Sequence, residues 1–125
     1  MIRLGVDQIH HNADQAGLGI FAAAKESKGV FVYGANADQT DLAPDQVVAS
    51  AVIDLPRAML MLARTVNAKQ FVPQVETFGL HSGVIRFMSN SKILATWPAG
   101  LAAKVQAAGD SIDSGKLVVG GKSPK

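Results

Sequence analysis

The chain has 125 residues, 48% hydrophobic and 18% charged, with a formal net charge of +2, which describes one globular domain able to bury a core. It has no cysteine, so disulfides, thiolate catalysis and Cys-ligated zinc are excluded. The basic pI of about 9.1 reflects a few surplus lysines, and no Lys/Arg cluster interleaved with aromatics points to a nucleic-acid partner.

No apolar run approaches the ~20 residues that span a bilayer. Met1–Gly5 has no apolar core or cleavage site of a secretion signal, so the chain as written reads as cytoplasmic.

In chain order, Val6–His11 reads as a strand and Asp14–Ser27 as a helix. Asn12 or Asp14 stands at the cap position, and Leu18, Phe21, Ala22 and Lys25 recur at helical spacing. Lys28-Gly29 ends the helix, and Val30–Tyr33 is a second strand. Short connections make this a right-handed βαβ unit with parallel strands. Gly34 to Gln46 is a polar loop.

The next segment has two readings. Val48, Val52, Leu55, Met59, Leu62 and Val66 would suit one long helix. Pro56 opposes that, because proline inside a helix costs about 3 kcal/mol. Beside Asp54 it suits a helix start instead, and 47–53 is rich in β-branched residues. The expectation is a strand at 47–53, then a helix from Leu55 to Ala68 capped by Asp54.

Gln74–Leu80 and Val84–Met88 read as a hairpin around His81-Ser82-Gly83. A polar turn at Ser89–Lys92 follows. Pro98 opens a third helix with Trp97, Leu101, Val105, Ala108 and Ile112 as its buried stripe, stopped by Gly115. Leu117–Val119 is a possible last strand, and 120–125 a flexible tail. The pattern is one α/β lobe over 1–119, a mostly parallel sheet with a hairpin.

Two strand ends carry most of the functional signal. Val6–Ile9 and Val30–Tyr33 are apolar runs that give way to His10-His11-Asn12-Ala13-Asp14 and Gly34-Ala35-Asn36-Ala37-Asp38. Ligands in open α/β sheets gather at such carboxyl ends. Adjacent His10 and His11 point to opposite faces: one packs within the fold and the other is left to line a cleft. That geometry opposes a His-His-Asp metal site. Gly17-Leu18-Gly19 opens a helix, as anion sites do, but Ala22 breaks the dinucleotide pattern and close helix–sheet packing is the competing reading.

His81 at the hairpin tip reads as solvated. Ser82 is misplaced for a nucleophile elbow. Asp38, Asp41 and Asp45 lack calcium-loop spacing and read as turn and cap residues. No acid–base or nucleophile–base pair is evident. The chain reads as a non-enzyme without cofactor or metal.

Ile9–Gly19, Tyr33–Gln39, Ala43-Pro44, Ala49–Val52 and Phe78–Leu80 together resemble the basic membrane protein family, nucleoside- and purine-binding lipoproteins of bacterial ABC importers. The resemblance runs from about Leu4 to Val119. It implies a flavodoxin-like lobe of the two-lobed type I periplasmic binding fold, periplasmic in the parent family, with an importer permease as partner. The chain resembles only the latter portion of such a protein and reads as truncated. Ligand contacts would fall on His10, Asn12, Asp14, Gly34, Asn36 and His81.

Carried over residue by residue, the family's base-stacking aromatic falls on His10, its strand-end Asp on Asn36, its ribose-gripping Asp near Pro56 and its Lys on His81. The last two departures favour a free purine base such as adenine over a nucleoside. A half-cleft would bind weakly or not at all alone. The resemblance also implies that apolar surface from 55–68 and 74–88 meets another lobe. Met59, Met61, Leu62, Phe78, Ile85 and Phe87 would then be left uncovered and drive a homodimer. The competing readings are a self-associating structural or engineered unit, and a small α/β enzyme or regulatory domain.

Overall fold

A computed structural model describes residues 1–120. Its first unit is strand β1 (Gln8–His10), helix α1 (Leu18–Lys25) and strand β2 (Phe31–Asn36), the expected βαβ with parallel pairing from Gln8↔Phe31 to His10↔Tyr33. The helix is shorter than the periodicity predicts. Asp14 sits in the left-handed region at φ 48, where no α-helix can run, so Asp14–Gly17 is a 3₁₀ turn and the α-helix waits until Leu18. Neither Asn12 nor Asp14 caps it through a side chain. Gly29, at φ 71, turns the chain after α1.

Strand β3 (Val47–Ile53) and helix α2 (Leu55–Asn67) divide where Asp54-Pro56 places the boundary. The Asp54 carboxylate accepts the Arg57 N–H at 3.0 Å, and Pro56 sits in the first turn, where its missing N–H costs nothing. β3 runs parallel to β2, with one extra residue at Val48 between Val32↔Val47 and Tyr33↔Ala49. Such a bulge increases the local twist.

Strand β4 (Ile85–Ser89) completes the sheet order β1-β2-β3-β4 and runs antiparallel to β3. The hairpin expected at 74–88 is absent. Leu80–Ser82 is a 3₁₀ turn, and 71–78 form no backbone–backbone hydrogen bond among the described residues. β4 takes its partner from β3 instead because Val84 and Asn90 bond to Asp54 and Val48 at the two ends of the ladder, at 2.7 and 2.9 Å.

Helices α3 (Ser91–Leu94) and α4 (Leu101–Asp113) follow. The expected turn at 89–92 is two structures, with Ser89 in β4 and Asn90 as a buried anchor. Its amide donates to the carbonyls of Pro44 and Val47 while its oxygen caps Lys92.

One face of the sheet is closed. Ile9, Val32 and Val47 pack against Phe21, Ala24, Val30 and Ala43, with Ile2, Val6, Ile20 and Leu42 at the margin. The other face is open by comparison. α4 begins at Leu101 rather than Pro98 and buries no residue, so Trp97, Leu101, Val105, Ala108 and Ile112 are not a core stripe. Gly100 at φ 82 delays its start, and Gly115 at φ 72 stops it as expected. Trp97, Leu101 and Val105 line a cavity of about 320 Å³ over Phe31, Tyr33 and Phe87. Leu117–Val119 adds no strand to the described sheet. Of the expected tail, residues 121–125 lie outside the described residues.

α2 is strongly amphipathic, yet buries only Ala58. Leu55, Met59, Leu60 and Val66 are more than half exposed. Phe87 is also exposed, whereas Met61, Leu62, Phe78 and Ile85 are half-buried.

Asp54→Ala removes both the cap and the 3.2 Å pair with Arg86. It should destabilise the chain by about 1 kcal/mol, while Pro56→Ala changes little. Urea midpoints of the two variants check the strand–helix boundary.

Candidate functional site

β1, β2 and β3 are parallel, so their carboxyl ends share one edge of the sheet, and β4 starts from that same edge. His10 and Asn36 close β1 and β2, and Asn12 and Asp14 follow β1, all four exposed toward this edge; His10 stands opposite Tyr33, three residues before Asn36. His81 lies at the β4 end of the edge, three strand spacings or about 14 Å from β1. Its ring is solvated, 91% exposed and 3.9 Å from Asp113. Gly34 is not at the rim: it is buried within β2.

A polar hub lies beneath the rim. The Oε1 of Gln39 accepts the Ala35 N–H of β2 at 2.9 Å and meets His11 Nε2 at 3.0 Å. The backbone N–H of Gln39 donates to Ser50 Oγ of β3 at 3.1 Å. One loop residue thus ties together the ends of β1 and β2 and the middle of β3.

The neighbours fix the chemistry of each atom. Ala35 N–H needs an acceptor, which orients the Gln39 amide with Oε1 toward it. Oε1 cannot donate, so His11 Nε2 carries the proton, and Nδ1 accepts a long 3.4 Å bond from Ala13 N–H. His11 is 5% exposed and stands edge-on to Phe21, ring centroids 5.1 Å apart. It is the histidine of the pair that packs. With both ring nitrogens engaged it is not free to bind a metal, and His10 is the one left for a cleft.

Two glycines make room for the hub. A Cβ on Gly17 would fall 2.6 Å from the His11 ring, and one on Gly34 would fall 2.5 Å from Ser50 Oγ. For Gly17 the close-packing reading holds. Gly34 acts through the same constraint.

Asn36 adopts φ 70, and Ala37 N–H closes a tight turn onto the Ala35 carbonyl at 2.9 Å. Asparagine tolerates this region better than most residues, and strained backbone of this kind clusters at ligand sites. Next to it, Asp38 accepts the N–H and Oγ–H of Thr40 at 3.0 and 2.7 Å. These bonds hold its carboxyl below the ordinary 3.8, the Ser50 hydroxyl adding to the effect and partial burial opposing it. Asp38 is the turn residue expected. Asp45 pairs with Lys92.

Gln39 and Ser50 lie within the segments that carry the family resemblance, but no motif marks either as a structural tie. The one trace they leave is Gly34, a glycine inside a strand, which signals a close approach.

The chain matches, over residues 1–100, the Bmp family, described as ABC transporter substrate-binding protein PnrA-like. It belongs to this family, whose members are substrate-binding proteins and not enzymes. Basic membrane protein A2 of Borrelia garinii subsp. bavariensis is 32% identical over 93 residues, 72% of this chain and 28% of that protein. The chain therefore spans under a third of that relative's length.

Among solved structures, a transcriptional activator of the comK gene from Bacillus halodurans superposes with TM-score 0.81 at 17% identity. An ABC transporter solute-binding protein from Aeropyrum pernix K1 superposes with TM-score 0.70 at 20% identity. Each comparison covers 93% of this chain and 40% of the other. At such identities these two show the fold alone.

Gly34→Ala should destabilise the chain by roughly 1–3 kcal/mol through overpacking. Ser50→Gly in the same chain should recover part of that loss, so the two changes are not additive. Thermal denaturation of the two single variants and the double variant reads the coupling.

Proposed function

We propose that this chain is a ligand-contacting lobe of a purine- or nucleoside-binding protein serving an ABC importer. In the full-length protein it would work outside the cytoplasmic membrane, beside the importer permease. Among the described residues no helix is long and apolar enough to cross a membrane. The observation that carries the reading is the exposed His10, Asn12 and Asn36 at the carboxyl ends of β1 and β2, beside the His11–Gln39–Ser50 hub.

The chemistry suits a planar heterocycle. The His10 imidazole can stack on a purine face. The amides of Asn12 and Asn36 each offer both a donor and an acceptor to a purine edge. Asp14 and Asn36, both left-handed, hold the rim in a conformation that costs free energy to keep. Gly34 contributes room for the hub, and His81 stands at the far end of the rim. With Pro56 and His81 where the family's ribose contacts would be, a free base such as adenine should bind at least as well as its nucleoside. One lobe covers one side of a ligand, so affinity should be weak.

Self-association belongs to the same proposal. Leu55, Met59 and Val66 are exposed on one side of α2, and an apolar surface of this kind is usually covered by another protein surface. A homodimer of this chain would cover it.

In an NMR titration with adenine and adenosine, the amides of His10, Asn12 and Asn36 should shift first. His10→Ala should weaken binding about ten-fold, the scale of one lost stacking contact. Shifts confined to α4 would contradict the site.

A further inference from the structure

β4 is an edge strand with one side of its backbone unpaired. The ladder to β3 shows which groups are free. Val84 accepts from Asp54, and Asn90 donates to Val48, so alternate residues 84, 86, 88 and 90 face β3. Ile85, Phe87 and Ser89 direct their N–H and C=O groups outward. Phe87 and Met88 are also substantially exposed.

The same chain carries a segment that lies outside the sheet and bends at Gln74. Residues 71–78 form no backbone–backbone hydrogen bond among the described residues, and Val75 is 93% exposed. The turn joining this segment to β4 is held shut. Ser82 Oγ–H donates to the Gly79 carbonyl at 2.6 Å and accepts the Val84 N–H at 3.1 Å. The Ser82 carbonyl accepts Arg57 Nε–H at 2.8 Å from α2. Gly83 holds φ 67 with the Arg57 guanidinium 3.1 Å from where its Cβ would lie. The turn is anchored to α2, not opened as a hairpin loop, and the segment does not reach its own β4.

We propose that residues 73–77 of one copy add as a further strand to the open edge of β4 of a second copy, and the second copy reciprocates. This rests on the self-association reading above and specifies its contact. Antiparallel pairing that sets Val75 opposite Phe87 also sets Thr77 opposite Ile85 and Glu76 opposite Arg86. Val75 then meets Phe87 on one face, and on the other Glu76 meets Arg86, which also pairs with Asp54. Pro73 falls opposite Ser89 as the first residue of the new strand, a position that tolerates proline at the loss of one ladder hydrogen bond. A reciprocal exchange closes on itself and does not propagate into a filament.

The absence of native cysteine allows a direct test with Gln74→Cys and Met88→Cys placed in separate chains. In the proposed register these positions form a non-hydrogen-bonded pair with Cα atoms about 4.5 Å apart, within disulfide reach. Mixing the two chains under oxidised glutathione should link position 74 to position 88, read by mass spectrometry, well above 74–74 or 88–88 links. Val75→Pro should weaken the dimer at least ten-fold in sedimentation while leaving the melting of the single chain unchanged.

A dimer without the 74–88 link overturns strand exchange and leaves self-association standing. A monomer at all concentrations overturns both. A 74–88 link formed within one chain carrying both cysteines, and not between chains, shows a closed hairpin and overturns the exchange.

Discussion

Gln39 is the residue on which this lobe turns. Its side-chain oxygen serves the β2 backbone and the His11 ring, and its own N–H is anchored on Ser50 of β3. Each bond adds only about 1 kcal/mol, but a buried donor left without its acceptor costs 1–3 kcal/mol. The constraint is therefore collective: lose one partner and several buried groups lose theirs. Gly17 and Gly34 follow from it, because any Cβ at either position would occupy the hub's space. The strained turn at Asn36 follows as well, since the chain must leave β2 and return within three residues to present Gln39.

The hub also explains how a short chain keeps a defined rim while much of its surface stays unfinished. The face under α1 is a closed core, whereas α2 and α4 bury almost nothing. Hydrogen bonds from Gln39 reach all three parallel strands near the carboxyl edge, where an α/β sheet presents ligand groups. The unfinished parts, α2's apolar side and the outer edge of β4, are the surfaces the proposed dimer would cover.

Local chemistry made the first half of the chain legible. Asp54-Pro56 stated a strand end and a helix start outright, and the alternation at His10-His11 separated a packed ring from an exposed one. The family resemblance, from short motifs in the right order, was also readable. Where the reading failed, long-range bonds had overruled local pattern. Val84–Met88 looked like half of a hairpin, but its ladder partner was β3, through Asp54, Val48 and the anchor at Asn90. The Trp97–Ile112 stripe had helical spacing, but periodicity marks an apolar side without saying that anything covers it. The helix at Asp14 was shortened by a left-handed residue that no propensity scale foresees. Gln39 and Ser50 lay inside the resembling segments without any sign of their roles, because those roles come from three strands meeting in space.

Gln39→Met keeps the length of this side chain and removes its acceptor, so amide hydrogen exchange in that variant tests the hub most directly. If the hub governs the rim, protection should fall at Ala35 and at the ends of β1, β2 and β3 together, with signals from His10, Asn12 and Asn36 displaced. Changes confined to the loop from Ala37 to Leu42, with all three strand ends as protected as before, would contradict the account.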